Sequence, residues 1–285
     1  MPRVSVVILF HDEVDYLDGA VESVALQGGG DYEIVLVDGG ATPACLALAR
    51  KLCMADPGRR RIVQHPARAT IGVSALRSFG LAEARGEFLA FLDADDVWLP
   101  GKMAAQVALL DAHADAVMVY GRTQMWFSWR EAATQADFCY DLGVEPDRIV
   151  AGAEAMALLV RNEAQTPTTC NAMMRASAVA AVGGCEARFP GMFDDQVLFA
   201  KLYTRGPVYV SGALWARYRQ RETSLSHVAD HLAVARERVR FLGWLADWLR
   251  QVRWTDEAVA RLLRAERRKA RGNVARLLLK RLWGR

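Results

Sequence analysis

Three short apolar runs punctuate the first third of the chain, and each ends abruptly in polar residues. Val4-Ser5-Val6-Val7-Ile8-Leu9-Phe10 meets His11-Asp12-Glu13, Glu33-Ile34-Val35-Leu36-Val37 meets Asp38-Gly39-Gly40, and Phe88-Leu89-Ala90-Phe91-Leu92 meets Asp93-Ala94-Asp95-Asp96. Runs of this length, several rich in β-branched residues, predict buried strands. Between them the apolar positions change to helical spacing. Tyr16, Leu17, Ala20, Val21, Val24 and Ala25 form one stripe, stopped by Gln27-Gly28-Gly29-Gly30, and residues 42–54 and 73–84 predict two further helices. Strand and helix alternating in this way predict βαβ units and a parallel sheet covered on both faces.

The third strand carries the strongest chemical signal. Asp93, Asp95 and Asp96 place three carboxylates within four positions at its end. Repulsion disfavours such a cluster unless a cation offsets it, and open α/β sheets bind ligands at the carboxyl ends of strands. Carboxylate oxygens suit Mg²⁺ or Mn²⁺ carrying a phosphorylated substrate. An Asp-rich turn, with Asp96 capping the next helix, is the competing reading of the same residues.

Further segments fall in one collinear order with these. They are Tyr16-Leu17 with Ser23 and Gln27, Val37-Asp38-Gly39-Gly40, Gly72-Val73-Ser74-Ala75-Leu76-Arg77-Ser78-Phe79-Gly80, and Ala84-Arg85-Gly86-Glu87-Phe88 leading to Asp95-Asp96-Val97-Trp98. Phe193-Asp194-Asp195-Gln196-Val197-Leu198 and Tyr218-Arg219-Gln220-Arg221 with Ser224-Leu225-Ser226 complete the set. Over roughly residues 3 to 227 it resembles the family 2 inverting glycosyltransferases, including their DXD metal strand, Glu-Asp motif and closing Tyr-Arg-x-His-x-x-Ser-x-Ser segment.

The resemblance implies an α/β chain with the GT-A fold, a Rossmann-like, mostly parallel central sheet flanked by helices. The nucleotide-binding part would span about 1–120, the acceptor part about 121–227, and a helical basic C-terminal extension 228–285. The implied reaction is metal-dependent, inverting transfer of a hexose-type sugar from a nucleotide-diphospho-sugar to a hydroxyl acceptor in glycan or polysaccharide assembly. Asp95 would be the first metal ligand, and Asp93 would contact metal or ribose. Asp38 would lie near the nucleoside, His11 would stack on the base, and Arg77 and Arg221 would reach the donor phosphates. Inversion needs a base opposite the leaving group, and Asp195 takes that place in the motif. Asp194 stands at the Glu position, and both carboxylates would equally serve to cap a helix. The implied cofactor is Mn²⁺ or Mg²⁺, and the implied donor is a UDP-sugar first, with dTDP and GDP also open.

Several positions depart from the pattern. His11-Asp12 replaces Tyr-Asn, Gly39 replaces an Asp that reads the base, Ala69 and Ser78 replace Asn, and Arg221 replaces a histidine. Arginine keeps a fixed positive charge and cannot ligate a metal. Two other functions stay open beside the transferase. A degenerate, non-catalytic sugar- or partner-binding domain is compatible with the departures at Gly39 and Arg221. A nucleotidyltransferase would carry a glycine-rich basic loop after the first strand, where His11-Asp12-Glu13 stands instead.

Composition adds little until the last fifth of the chain. With 285 residues, 52% hydrophobic, the chain is long enough for one large core plus a tail. Five cysteines (Cys45, Cys53, Cys139, Cys170, Cys185) show no metal-ligand spacing and predict reduced thiols. No secretory or membrane-spanning run is visible, so the expected location is cytoplasmic, including the inner face of the membrane. Between Arg261 and Arg285 there are ten Lys or Arg residues and one acid, Glu266, although the whole chain is only +3. With Leu262, Leu263, Leu277, Leu278, Leu282 and Trp283 this reads as a basic amphipathic helix. It would dock on an anionic membrane near a glycan or lipid-linked acceptor, or on a second copy, or pack on its own domain. No nucleic-acid module is recognisable, and nucleic acid is not an expected partner. The aromatic stretch Met125 to Tyr140 would either stack on sugars or cover the sheet.

Overall fold

Alternation along β1 (Val4–Phe10) decides the layering. Val4, Val6, Ile8 and Phe10 face one side of the sheet and Val7 and Leu9 the other, because successive strand side chains alternate. The same division holds in β2 (Tyr32–Asp38), where Ile34 and Leu36 oppose Val35 and Val37. One face is covered by α1 (Leu17–Ala25), α2 (Pro43–Ala55) and α4 (Lys102–Ala112). The other is covered by α3 (Val73–Glu83), α5 (Gly152–Arg161) and α7 (Asp194–Tyr203). The fold is therefore an α/β sandwich with two apolar layers.

The computed structural model describes residues 1–28, 30–164, 167–222 and 230–283. Gly29 of the glycine stop and the Ser224-Leu225-Ser226 end of the closing motif lie outside the described residues. The remaining elements are β3 (Arg60–Gln64), β4 (Phe88–Asp93), β5 (Val97–Trp98), β6 (Met118–Trp126), β7 (Phe138–Cys139), β8 (Arg148–Val150), β9 (Met173–Arg175), α6 (Ala176–Ala181), β10 (Val208–Arg219), α8 (His231–Gln251) and α9 (Glu257–Trp283). Among the described residues the strands form one sheet in the order β3-β2-β1-β4-β9-β6-β10-β5, with β7 beside β6 and β8 beside β10. β3, β2, β1 and β4 run parallel, and β10 is parallel to β6. Short antiparallel pairs through β5, β7, β8 and β9 supply the rest.

Register places the chemistry. Phe10 lies opposite Asp38, and Leu9 lies opposite both Val37 and Asp93, so the polar ends of β1, β2 and β4 share one sheet edge. β10 bends by register shifts after Val210 and Leu214, then pairs Ala216 with Trp98 and Arg217 with Val97. That pairing carries Arg219 and Arg221 to the acidic turn. It also corrects the reading of Asp96 as a helix cap. The cap position of α4 is Gly101, with no side-chain bond, while Asp96 Oδ1 accepts the Arg219 backbone N–H at 2.9 Å. The two-residue strand β5 separates Asp96 from the helix and turns it toward β10.

The segment after residue 227 is not set apart from the core. Phe241, Leu242, Trp244, Leu245 and Leu249 of α8, with Val259 and Leu263 of α9, belong to the same apolar layer as α5 and α7. Beyond Leu263 the helix is mostly wet, with Arg264, Arg268, Lys269, Arg271, Arg276, Lys280 and Arg281 exposed. No helix among the described residues is long and apolar enough to cross a membrane. Val259 and Leu263 are 2% and 4% exposed. Removing each forfeits about 1.5–3 kcal/mol of burial. Truncation after Thr255 should therefore lower the thermal midpoint by roughly 10 °C. Truncation after Ala270 should leave it within a few degrees, about the span expected of surface changes. Scanning calorimetry of the two proteins checks this, and equal midpoints would show α9 to be dispensable for packing.

Candidate active site

At that sheet edge a cleft of about 850 Å³ opens, and His11, Arg77, Asp93, Asp95, Asp195 and Arg221 all line it. Each side chain arrives for a local reason. Arg77 rides on α3, which approaches the sheet closely at Gly80, where any Cβ would meet Val7 Cγ1 at 2.5 Å and Val37 Cγ2 at 2.8 Å. The loop before α7 docks on the start of α3. Val73 N donates to Pro190 O at 3.1 Å, and a Cβ at Gly72 would collide with Pro190. Phe193 then takes a left-handed turn (φ +63°), and its ring stacks on Phe241 at 5.3 Å. This is a costly conformation for a bulky residue. It delivers Asp194 and Asp195 to the first turn of α7, directly over Arg77.

Charge in the cleft is strongly unbalanced. Asp12, Glu13, Asp93, Asp95, Asp194 and Asp195 line it against Arg77 and Arg221, six carboxylates to two guanidiniums. Arg77 bridges Asp93 Oδ1, at 2.9 Å, and Asp194 Oδ2. Burial disfavours the charge on Arg77, but Asp93 and Asp194 outweigh it and raise its pKa. Burial also raises Asp194, opposed by Arg77. Asp195 is pushed up to about 7, first by burial and then by the adjacent Asp194. Its Oδ1 accepts the Gln196 N–H at 2.7 Å.

In the same cleft Asp95 Oδ2 pairs with Arg221 Nη2 at 2.6 Å. Burial and Asp93 raise the Asp95 pKa, while Arg221 lowers it. Burial, Asp95 and Asp93 hold Asp96 well above the usual carboxylate range. A cation would relieve this excess. No group of three or more His, Cys, Asp or Glu residues is arranged for a metal among the described residues. An Mg²⁺-type ion bound mainly by phosphate and water needs only one or two carboxylates. Asp93 and Asp95 fit that requirement.

Asp38 sits at the same sheet edge, beneath the lining residue Gly39. It is 1% exposed and outside the cleft lining. Its Oδ1 accepts Gly40 N at 2.8 Å and Ala41 N at 2.7 Å, while Oδ2 receives Gln64 Nε2 at 2.7 Å and Arg68 Nε at 2.9 Å. Asp38 therefore shapes the loop under His11. His11 itself is exposed at the end of β1 and faces the cleft.

Sequence reasoning missed two participants. Glu13 lines the cleft and accepts the His11 and Asp12 N–H groups at 2.8 and 3.2 Å. Arg219 Nε donates to Asp95 O at 2.7 Å, and its guanidinium sits 4.4 Å from Trp126, 4.8 Å from Tyr16 and 5.0 Å from Trp129. The aromatic stretch thus clamps an arginine, and Trp126 and Trp129 do not line the cleft. The density of aromatic residues at the end of β6, the strand paired with that of Arg219, is the available signal.

Known proteins agree with this fold. An uncharacterized glycosyltransferase of Nostoc sp. is 37% identical over 101 residues, 35% of this chain and 30% of its own length. Succinoglycan biosynthesis protein ExoO of Rhizobium meliloti is 31% identical over 144 residues, 47% of this chain and 39% of its own. The chain thus matches less than half the length of either relative. Among solved structures, S. aureus TarS in complex with UDP-GlcNAc superimposes with a TM-score of 0.63 at 17% identity, covering 85% of this chain and 66% of that one. Mannosyltransferase PcManGT of Pyrobaculum calidifontis, in complex with GDP-Man and Mn²⁺, gives 0.65 at 17% identity, covering 98% and 74%. At such identity the likeness shows the GT-A fold. The profile of glycosyl transferase family 2 matches residues 5–183, through the acidic strand though short of Asp195, and this span of more than half the chain places the protein in glycosyl transferase family 2.

Proposed function

We propose that the protein is a metal-dependent, inverting glycosyltransferase, hexosyl-type, acting in glycan or polysaccharide assembly. It would move a sugar from a nucleotide-diphospho-sugar to a hydroxyl of a glycan or lipid-linked acceptor. The observation that carries this reading is the convergence of Asp93, Asp95 and Asp195 on one cleft that Arg77 and Arg221 also line. Asp195 takes the proton of the acceptor hydroxyl, and a pKa pushed up to about 7 suits a base working near neutrality. Arg221 and Arg77 bind diphosphate oxygens, and the exposed His11 meets the nucleobase. Asp38 acts through the loop backbone that its carboxylate holds. Asp93 and Asp95 would hold Mn²⁺ or Mg²⁺, which when bound offsets the charge developing on the leaving diphosphate. The UDP-GlcNAc and GDP-Man bound by similar structures support a nucleotide-sugar donor, and UDP is our first choice. The exposed basic half of α9 would serve as a contact to an anionic membrane face or a second copy.

One observation favours a non-catalytic binding domain instead: the Arg221–Asp95 pair occupies a carboxylate the cation needs. Mass-spectrometric turnover of a donor panel, with and without Mn²⁺, separates the readings. Turnover should require the cation and fall roughly 10²-fold or more in Asp95→Ala, the scale of a lost electrostatic stabiliser. Full turnover in excess chelator would remove the metal from the mechanism. A folded protein that turns over no donor would support the binding domain.

A further inference from the structure

A second cleft, of about 360 Å³, opens beside the first, and Phe193 and Val234 wall both. It forms where α8 and α9 pass the C-terminus of α5. Arg238, Arg276 and His231 line it with the amides of Asn162 and Asn273, and among the described residues its lining contains no carboxylate. Ala235, Ala270 and Leu277 supply an apolar side.

Arg238 is incompletely satisfied there. Its Nη2 donates to Val160 O at 2.5 Å, and its guanidinium lies 5.5 Å from Phe241 and 6.0 Å from Phe193. Its Nη1 is buried with no hydrogen-bond partner among the described residues. A buried donor left unpaired costs free energy that a ligand acceptor would recover. Burial lowers the pKa of Arg238, opposed by Glu266. The surrounding acids are engaged: Glu266 with Lys269 at 3.4 Å, Asp230 with Arg281 at 2.7 Å and Glu237 with Arg240 at 3.4 Å. Arg276 donates to the neutral Asn273 at 2.9 Å.

We propose that this cleft is an anion subsite for a phosphoryl group carried by the acceptor, bound by Arg238 and Arg276, with the apolar side taking the adjoining hydrocarbon. The word acceptor rests on the glycosyltransferase reading of the first cleft; the phosphate chemistry does not. Two guanidiniums and two amides make a donor-rich lining, and guanidinium planes match phosphate oxygens in paired bonds. The volume exceeds a bare phosphate and leaves room for the attached chain. Phe193, the shared wall, immediately precedes Asp194 and Asp195, so a ligand anchored here lies at the base's side of the cleft.

Calorimetric titration of the full chain with geranyl phosphate, against geraniol as the uncharged control, tests the subsite. Geranyl phosphate should bind about tenfold or more tighter than geraniol, the scale of one charge-assisted bond. Saturating UDP with Mn²⁺ should leave it bound. Arg276→Gln, at an exposed position that tolerates polar side chains, should erase most of that preference. Arg238→Lys should weaken it while keeping a positive charge. Absence of the preference, its persistence in Arg276→Gln, or displacement by UDP would overturn the subsite. Vesicles of phosphatidic acid, compared with phosphatidylcholine, distinguish the source. Arg276-dependent binding of both vesicle and geranyl phosphate points to a lipid headgroup, and of geranyl phosphate alone to a soluble phosphorylated acceptor. Dependence seen only with vesicles means surface attraction and rejects the cleft. Because these titrations need no turnover, failure of the transferase reading would leave them interpretable.

Discussion

Asp195→Asn is expected to reduce sugar transfer by roughly 10²–10⁴-fold, the range for loss of a general base, while donor binding by calorimetry changes little. The substitution keeps the shape and an oxygen for the Gln196 N–H but cannot accept a proton. In the wild type, transfer should rise with pH through about 7 as Asp195 ionises, and this rise should vanish in the variant. Stability should move the opposite way. A carboxyl raised from its ordinary value to about 7 is fully accommodated below its unfolded pKa and loses stability as pH rises through 7. Asp195→Asn should therefore unfold at a higher temperature than wild type at pH 8 and at the same temperature at pH 4. Transfer that survives while donor binding collapses would make Asp195 a donor contact.

The largest stability effect of a single substitution is expected at Arg77. Arg77→Met keeps the apolar stem but leaves Asp194 and Asp93 facing each other without their shared cation. Breaking a buried pair from one side costs about 3–5 kcal/mol. At about 2–4 °C per kcal/mol, the thermal midpoint at pH 8 should fall by roughly 10 °C. The defect should shrink as pH is lowered, because Asp194 becomes neutral and no longer needs a partner. Adding Asp194→Asn should recover part of the loss. A midpoint unchanged from wild type at pH 8 would mean that solvent, and not Arg77, balances these acids.

Three strands of the parallel half were legible because they are local events, whereas β3, β6 and β10 were not read. In β1, β2 and β4, β-branched and aromatic residues run for five to seven positions and then meet polar ones. The strand ends, the glycine stop after α1 and the helix carrying Arg77 follow from that spacing alone. The second half was harder for a physical reason. β5, β7, β8 and β9 are two or three residues long, and their pairing is set by partners distant in sequence. Asp96 illustrates the consequence. Beside a helix its neighbours suggest a cap, yet its partner is the backbone of Arg219, more than a hundred residues away.

The sequence by itself determined β1, β2 and β4 of the parallel half of the sheet, the acidic strand end and the residue types that the chemistry needs. It did so because hydrophobic period and turn chemistry act over a few residues. Only the tertiary structure decided which charges meet: Arg77 between Asp93 and Asp194, and Arg221 on Asp95. It likewise buried Asp38 beneath its loop and turned the aromatic stretch toward Arg219. The tail was decided the same way, since a basic amphipathic helix carries one pattern for a membrane, a partner or its own core. Val259 and Leu263 pack inward because α8 presents an apolar surface only once it lies across α5 and α7. Ion pairs and helix docking depend on distances across the fold, which no local pattern encodes.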